Sequence, residues 1–235
     1  LHDVVDFNKS CEEPKGKFLP KSGIPIYYAL CESCGFLFAP EFSEWTEADF
    51  LSKIYNDNYV EIDPDYVEVR PASNFEFLQK YFGNVRHQVH HLDYGGGNGL
   101  LSNKLTHVGW NSCSYDPFPQ RNVDIASLGK FNFITAFEVF EHVPDPHVLL
   151  ENISHLLDET GIVLFSTLAN DGNIKQHQRL DWWYASPRNG HISLFSKKSL
   201  KVLGEKYGLN FVSMGPGLHC YFKKFPAWAN WIAAK

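Results

Sequence analysis

The sequence predicts an α/β fold, a doubly wound and mostly parallel sheet, with a small cysteine-bearing module in front of it. Three observations carry this. From Ser73 onward, helical and strand-like patterns alternate, which is the signature of a parallel sheet with covering helices. A strand-like run ends in a glycine-rich turn that opens a helix, His91-Leu92-Asp93-Tyr94-Gly95-Gly96-Gly97-Asn98-Gly99. The run Ile162-Val163-Leu164-Phe165 is continuously apolar, as central parallel strands are.

Each element has its own reason. Residues 1–70 form a first region of Tyr/Phe-rich short runs, Ile24 to Tyr28 and Phe36 to Phe38, separated by turns and prolines. Thr46 is a helix cap, and Phe50, Leu51 and Ile54 follow at helical spacing as far as Tyr55. Arg70-Pro71 favours an extended residue before the proline and marks the boundary. The second region, residues 71–235, starts with a helix over Asn74 to His87, followed by a strand over Val89 to Tyr94. Next come a helix from Gly99 to Val108, a strand from Asn111 to Asp116 and a weak strand from Val123 to Ala126. A strand from Phe131 to Val139, a helix from Pro146 to Leu157 and the strand from Gly161 to Leu168 complete the alternation. The following loop is long enough to be functional. A helix over Ser196 to Tyr207 precedes a hairpin, Leu209 to Met214 and Leu218 to Phe222, turned at Gly215-Pro216-Gly217. The aromatic tail from Lys223 to Trp231 reads as a short surface helix.

Composition narrows the function classes. The chain has 235 residues, 44% hydrophobic and 20% charged, a globular balance. It holds no apolar stretch of about 18 residues that would span a membrane, and its first nine residues lack a secretory core. Five irregularly spaced cysteines do not form a disulfide framework, so a reducing cytoplasm is expected. A net charge of −6 argues against a broad nucleic-acid surface. The 15% aromatic content points to a cavity or interface walled by rings.

Cys31-Glu32-Ser33-Cys34-Gly35 is the one patterned cysteine motif. A C-x-x-C-G turn presents two thiolates to one metal, and a structural zinc takes four ligands. Only Cys11 lies nearby, 20 positions upstream of Cys31. The thiols either hold zinc with an incomplete set or pack as small apolar groups. In the glycine turn the order is D-x-G-x-G-x-G, which is neither G-x-G-x-x-G nor a Gly-Lys-Ser/Thr phosphate loop. Its glycines let backbone approach a ligand, and the helix N-terminus offers unpaired amides. Asp116 falls 23 residues after Asp93, where an acid can hold two ribose hydroxyls.

With the stretch Phe137-Glu138-Val139-Phe140-Glu141-His142-Val143-Pro144-Asp145-Pro146, the chain resembles the class I S-adenosylmethionine-dependent methyltransferases. It is most similar to the small-molecule branch of ubiquinone-biosynthesis O-methyltransferases and sugar C-methyltransferases. Gly190-His191-Ile192-Ser193-Leu194-Phe195-Ser196 also looks like that branch, and the cysteine motif is similar to its zinc-binding extension. The resemblance implies a seven-stranded Rossmann-like sheet and S-adenosylmethionine as cofactor. It implies that Asp93, Gly95 and Gly97 surround the methionine part and that Asp116 grips the ribose. Phe118 and the Val123–Ser127 segment would lie near the adenine, and Phe137 and Glu138 would border the sulfonium. Tyr66 and Arg70 would reach the cofactor's carboxylate. The family often has Asp where this chain has Asn132.

Methyl transfer from a sulfonium needs positioning first. A hydroxyl or acidic-carbon acceptor also needs a base, for which His142 beside Glu141, and His191, are the candidates. Each could instead be a hydrogen-bonded loop residue. Trp182, Trp183 and Tyr184 either wall the acceptor or pack onto the N-terminal module. A small-molecule acceptor is expected, with no membrane and no nucleic-acid partner. The competing readings are a cofactor-binding regulatory module without turnover and a nucleic-acid methyltransferase, which the absence of an Asn/Asp-Pro-Pro-Tyr motif disfavours.

Overall fold

The computed structural model describes residues 2–229 apart from 119, 121 and 176. The chain divides into two units with interleaved segments. The first takes Leu1–Pro64, Phe140–Pro146 and Leu168–Val202; the second takes Asp65–Val139, His147–Thr167 and Leu203–Lys235. The sequence placed one break at 70/71. The structure instead returns two later segments to the first unit, because their apolar side chains share its core.

The first unit is built on a four-stranded antiparallel sheet in the order β1-β2-β3-β8, numbered along the whole chain: β1 Asp3–Asp6, β2 Pro25–Leu30, β3 Leu37–Phe38 and β8 Ser193–Leu194. Helix α1 (Glu47–Lys53) starts at a capping box in which Thr46 accepts from the Asp49 N–H and Asp49 accepts from the Thr46 N–H. A short helix, α2, covers Tyr59–Ile62. The core gathers Ile26, Tyr28, Leu37, Phe42, Phe50 and Ile54 with Trp182, Tyr184, Ile192 and Leu194. Trp182 and Tyr184 are therefore core residues of this unit, while Trp183 is 40% exposed.

The second unit contains a six-stranded sheet in the order β5-β4-β6-β7-β10-β9: β4 His90–Tyr94, β5 Asn111–Tyr115, β6 Phe131–Phe137, β7 Leu157–Ser166, β9 Asn210–Ser213 and β10 Leu218–Phe222. Strands β5, β4, β6 and β7 run parallel, and β10 pairs antiparallel with both β7 and β9. Six strands among the described residues replace the seven expected. The weak strand over Val123 to Ala126 is instead a 3-10 turn at Ile125–Leu128, because the Asp124 carboxylate caps it by accepting from the Ala126 N–H. Helix α3 spans Val69–Phe82 and takes Pro71 into its first turn, where no backbone donor is needed. Helices α4 (Leu100–His107) and α5 (Pro146–Leu156) follow β4 and β6, and α6 spans Lys197–Lys206. The core unites Leu78, Phe82, Leu101, Leu105, Trp110, Phe133, Ile162 and Leu164. The tail forms a 3-10 turn at Ala227–Ala229, and its expected continuation to Trp231 lies outside the described residues. No helix among the described residues is long and apolar enough to cross a membrane.

Candidate active site

In the second unit, the parallel register of β4, β5 and β6 brings the expected cofactor residues to the carboxyl ends of the strands. Asp93 stands opposite Ser114 of β5 and Thr135 of β6. Its carboxylate is buried and accepts the Thr135 hydroxyl at 2.9 Å. Burial, with some help from the Asp116 charge, pushes this carboxyl up to about 7 against the pull of Thr135. Behind it, His91 is wholly buried, with Nε2 3.0 Å from the Thr135 hydroxyl and Nδ1 2.7 Å from that of Ser112. Since Thr135 donates to Asp93, His91 Nε2–H donates to Thr135 and Ser112 donates to Nδ1. Burial, with the neighbouring His90, depresses this imidazole to about 3, so the ring is neutral. Sequence reasoning missed His91 and Thr135, although His91 sits two residues before Asp93 on the same face of the strand.

The glycine turn follows. Gly95 and Gly97 have φ of 74° and 54°, in the left-handed region. A Cβ on Gly96 would run into Ser114 Oγ and the Asp93 carboxylate, whereas one on Gly97 would meet nothing within 4 Å. The turn is thus tight toward the sheet and open at Gly97. Asp116, just past β5, holds the turn: Oδ2 accepts from the Gly97 N–H at 2.9 Å, and Oδ1 from the Phe118 N–H at 3.0 Å. Phe118 is 36% exposed. Phe137 ends β6. Glu138 follows with φ of 53°, unusual for a residue with a side chain. The Ser166 hydroxyl donates to Glu138 Oε1 at 2.8 Å, and Oγ accepts the Glu138 N–H at 2.9 Å. Arg70 lies in the first turn of α3 rather than in a loop, and its N–H donates to the Asp65 carbonyl; Tyr66 precedes that helix and is exposed. A hollow of about 360 Å³ lies at the opposite, amino ends of the strands, lined by Arg86, His90, Asn111 and Asn132 among others. Ligands of open α/β sheets bind at the carboxyl ends.

In the first unit, the structure gathers all three candidate catalytic residues. Glu141, His142 and His191 each place a ligand atom within 4.8 Å of the others. Glu141 and His142 lie on the 3-10 turn Phe140–His142. His191 arrives from 49 residues later, clamped by backbone: the Ile192 N–H donates to the Glu141 carbonyl at 2.9 Å, and the Tyr28 hydroxyl to the His191 carbonyl at 2.6 Å. Tyr184 donates its hydroxyl to Glu141 Oε1. His142 Nδ1 lies 3.1 Å from the Tyr55 hydroxyl. The chain reaches His191 through Gly190 at φ of 84°, where a Cβ would stand 2.5 Å from the Tyr55 hydroxyl and 3.1 Å from His142 Nδ1. Tyr55 and Tyr184 carried no sequence signal beyond their ring type.

The expected metal set is not assembled. Cys31 and Cys34 interact across their tight turn, and Cys31 Sγ lies 3.1 Å from Ser33 Oγ. The Ser33 hydroxyl, then Cys34, lowers the Cys31 thiol to about 7, while burial raises that of Cys34. Cys11 is placed elsewhere: its N–H donates to the Asn189 side chain, and its Sγ lies 3.5 Å from His191 Nδ1. Among the described residues, Glu141, His142 and His191 are the group of three or more with metal-ligand chemistry.

Comparisons with known proteins agree with this architecture. The chain is similar to ubiquinone biosynthesis O-methyltransferases: 28% identical over 100 residues to that of Colwellia psychrerythraea (33% of this chain, 41% of that one) and 30% over 99 residues to that of Azorhizobium caulinodans (33% and 39%). The matched stretches span less than half the length of these relatives. A solved structure of Burkholderia thailandensis 1,6-didemethyltoxoflavin-N1-methyltransferase, holding 1,6-didemethyltoxoflavin and S-adenosylhomocysteine, aligns with a TM-score of 0.50 at 18% identity over 86% of this chain and 96% of that one. At that identity the likeness shows the fold. A family model described as a methyltransferase domain matches residues 66–214, well over half of the sequence. The chain therefore belongs to the methyltransferase domain family, in the class I group that its motifs resemble.

Proposed function

We propose that the chain binds S-adenosylmethionine at the glycine turn of the second unit and methylates a small-molecule acceptor. The observation that carries this reading is the Asp116 carboxylate drawn onto the Gly97 N–H, joining the turn after β4 to the acid after β5. The cofactor supplies a methyl group already activated on a sulfonium.

The residues present fit that group. Gly97 is open where a side chain would intrude. Each Asp116 oxygen accepts one backbone N–H and carries a further lone pair that suits a ribose hydroxyl. Gly95, Gly97 and Asp93 would border the methionine part, Phe118 and residues 123–127 the adenine, and Phe137 and Glu138 the sulfonium. Arg70 and Tyr66 would take the carboxylate. The positive φ of Glu138 supports a functional reading, since strain persists where surrounding structure enforces it. An oxygen or acidic-carbon acceptor sheds a proton when it is methylated, and Glu141, His142 and His191 are the groups assigned to that task. A cytoplasmic setting suits the five free thiols.

Calorimetry with S-adenosylhomocysteine tests the reading. Saturable binding is expected, weakened at least tenfold in Asp116→Ala, which removes a charge-assisted hydrogen-bond partner worth about 1.5–3 kcal/mol. No heat of binding to the unmodified chain would sink it.

A further inference from the structure

We propose that the hollow at the amino ends of β4 and β5 binds the phosphate group of a small molecule, with Arg86 as the residue that grips it. This site lies wholly in the second unit, at the ends of the strands remote from the glycine turn, and it stands whether or not the cofactor assignment does.

The first support is the guanidinium of Arg86. It sits on the 3-10 segment Gly83–Gln88, between α3 and β4. Nη1 donates to the Gly83 carbonyl at 2.8 Å, which holds the group in place. Nε is buried and has no hydrogen-bond partner among the described residues. Buried donors are nearly always paired, so an unpaired one marks a place where a partner fits. Nε–H and one Nη2–H point the same way and form the side-on fork of a guanidinium. With Nη1 spent on Gly83, this fork is the edge left over, and its spacing matches two oxygens of a phosphate. Among the described residues, no carboxylate pairs with Arg86.

The second support is the make-up of the hollow. Its volume is about 360 Å³, within the range of small-molecule sites and larger than inorganic phosphate alone would fill. The chain carries 27 acidic against 21 basic side chains, yet among the described residues none that lines this hollow is acidic. Arg86, His87 and His90 line it, together with the side-chain amide donor Asn111. His90 and Asn111 are the first residues of β4 and β5 and stand opposite each other in the parallel register. The Lys130 carbonyl accepts from His90 Nδ1 at 3.0 Å, which orients the ring and leaves Nε2 uncommitted among the described residues. Asn132 braces the same wall through its bonds to the His90 N–H and the Gln88 carbonyl. Gly109, at φ of 88° just past α4, lies beside Arg86. A Cβ there would stand 3.9 Å from Nε and take up space beside the fork. Nucleic-acid surfaces spread basic groups over a broad face. Here they are drawn into a concavity of a chain with net charge −6, which favours a small ligand.

The experiment is a titration of the isotope-labelled full chain with inorganic phosphate at constant ionic strength, followed by NMR of the arginine Nε–H groups. The Arg86 Nε–H signal should shift saturably. The backbone amides of His90 and Asn111 should follow the same curve, while that of Gly97 stays in place. Arg86→Lys keeps the charge but loses the fork, and should weaken binding by about tenfold or more. Acetate should bind more weakly than phosphate. No saturable shift of the Arg86 signal would overturn the proposal, and it is read on the unmodified chain, whether or not the variant folds. So would undiminished affinity in a folded Arg86→Lys chain, or an affinity for acetate that matches that for phosphate. A single-stranded DNA oligomer that saturates the same signal at lower concentration than phosphate would assign the face to nucleic acid and overturn it as well. Asp116→Ala separates this site from the cofactor site: it should lose S-adenosylhomocysteine affinity and keep phosphate. Phosphate binding without S-adenosylhomocysteine binding defeats only the cofactor assignment, and the reverse defeats only the phosphate site.

Discussion

Asp93 and His91 sit two residues apart on β4 and are joined through the Thr135 hydroxyl, and their titrations oppose each other. The Asp93 carboxyl is raised by burial from 3.8 to about 7. Between those values the folded chain holds a proton that the unfolded chain has lost, so stability falls as pH rises. His91 is lowered by burial from 6.5 to about 3. Between those values the unfolded chain holds the extra proton, so stability rises with pH. From about pH 4 to 6.5 the two slopes, each up to about 1.4 kcal/mol per pH unit, offset. Removing one should expose the other. Urea unfolding over this range should show stability falling with pH in His91→Gln and rising in Asp93→Asn, relative to the unmodified chain. Parallel profiles in all three would rule out the coupling. Asn132 is explained at the same scale. Its side-chain oxygen accepts the His90 N–H at 2.7 Å, and its nitrogen donates to the Gln88 carbonyl at 2.9 Å. Aspartate could make only the first bond. The residue that departs from the family pattern thus fastens the start of β4, far along the strand from the glycine turn.

Turns and caps decide the elements. Gly190→Ala forces a side chain into the left-handed region and against the Tyr55 hydroxyl. It should lower stability by about 1–3 kcal/mol and disturb His142. Thermal unfolding measures the first effect, and the chemical shifts of His142 the second. Thr46→Ala removes one half of the capping box on α1 and should cost about 1 kcal/mol in chemical denaturation, with no change at the site. Elements with a local signature were legible in the sequence. The apolar runs gave away β6 and β7, the glycine turn placed α4, and Gly215-Pro216-Gly217 marked the β9–β10 hairpin. Strand β1 is four residues that begin and end with aspartate, and β8 is two residues, so neither carries a period to read. Both exist because distant partners pair with them. The same division holds at the site. Asp93, the glycines and Asp116 follow one another within 24 positions and are tied by adjacent strands. The approach of His191 to Glu141, and the departure of Cys11 from the other cysteines, depend on a long-range fold that spacing does not encode.

At the scale of the whole molecule, the first unit draws on three separated segments. Residues 168–202 bury Trp182, Tyr184, Ile192 and Leu194 among side chains supplied by residues 26–59. A fragment of residues 65–235 would keep every strand of the six-stranded sheet and still expose those four. It should bind a hydrophobic dye and aggregate in sedimentation runs, whereas the full chain should do neither. A soluble, dye-negative fragment would show that the later segments do not need the first 64 residues.

The antiparallel pairing of β3 with β8 also sets a timetable. Strand β3 is synthesised about 155 residues before its partner, an interval of about 8–30 s at about 5–20 residues per second. Throughout that interval the nascent chain carries Leu37 and Phe38 on an unfilled edge. Translation speed and chaperone supply should therefore govern the yield of folded product more strongly for this sheet than for the six-stranded one, whose paired strands lie closer together in the sequence.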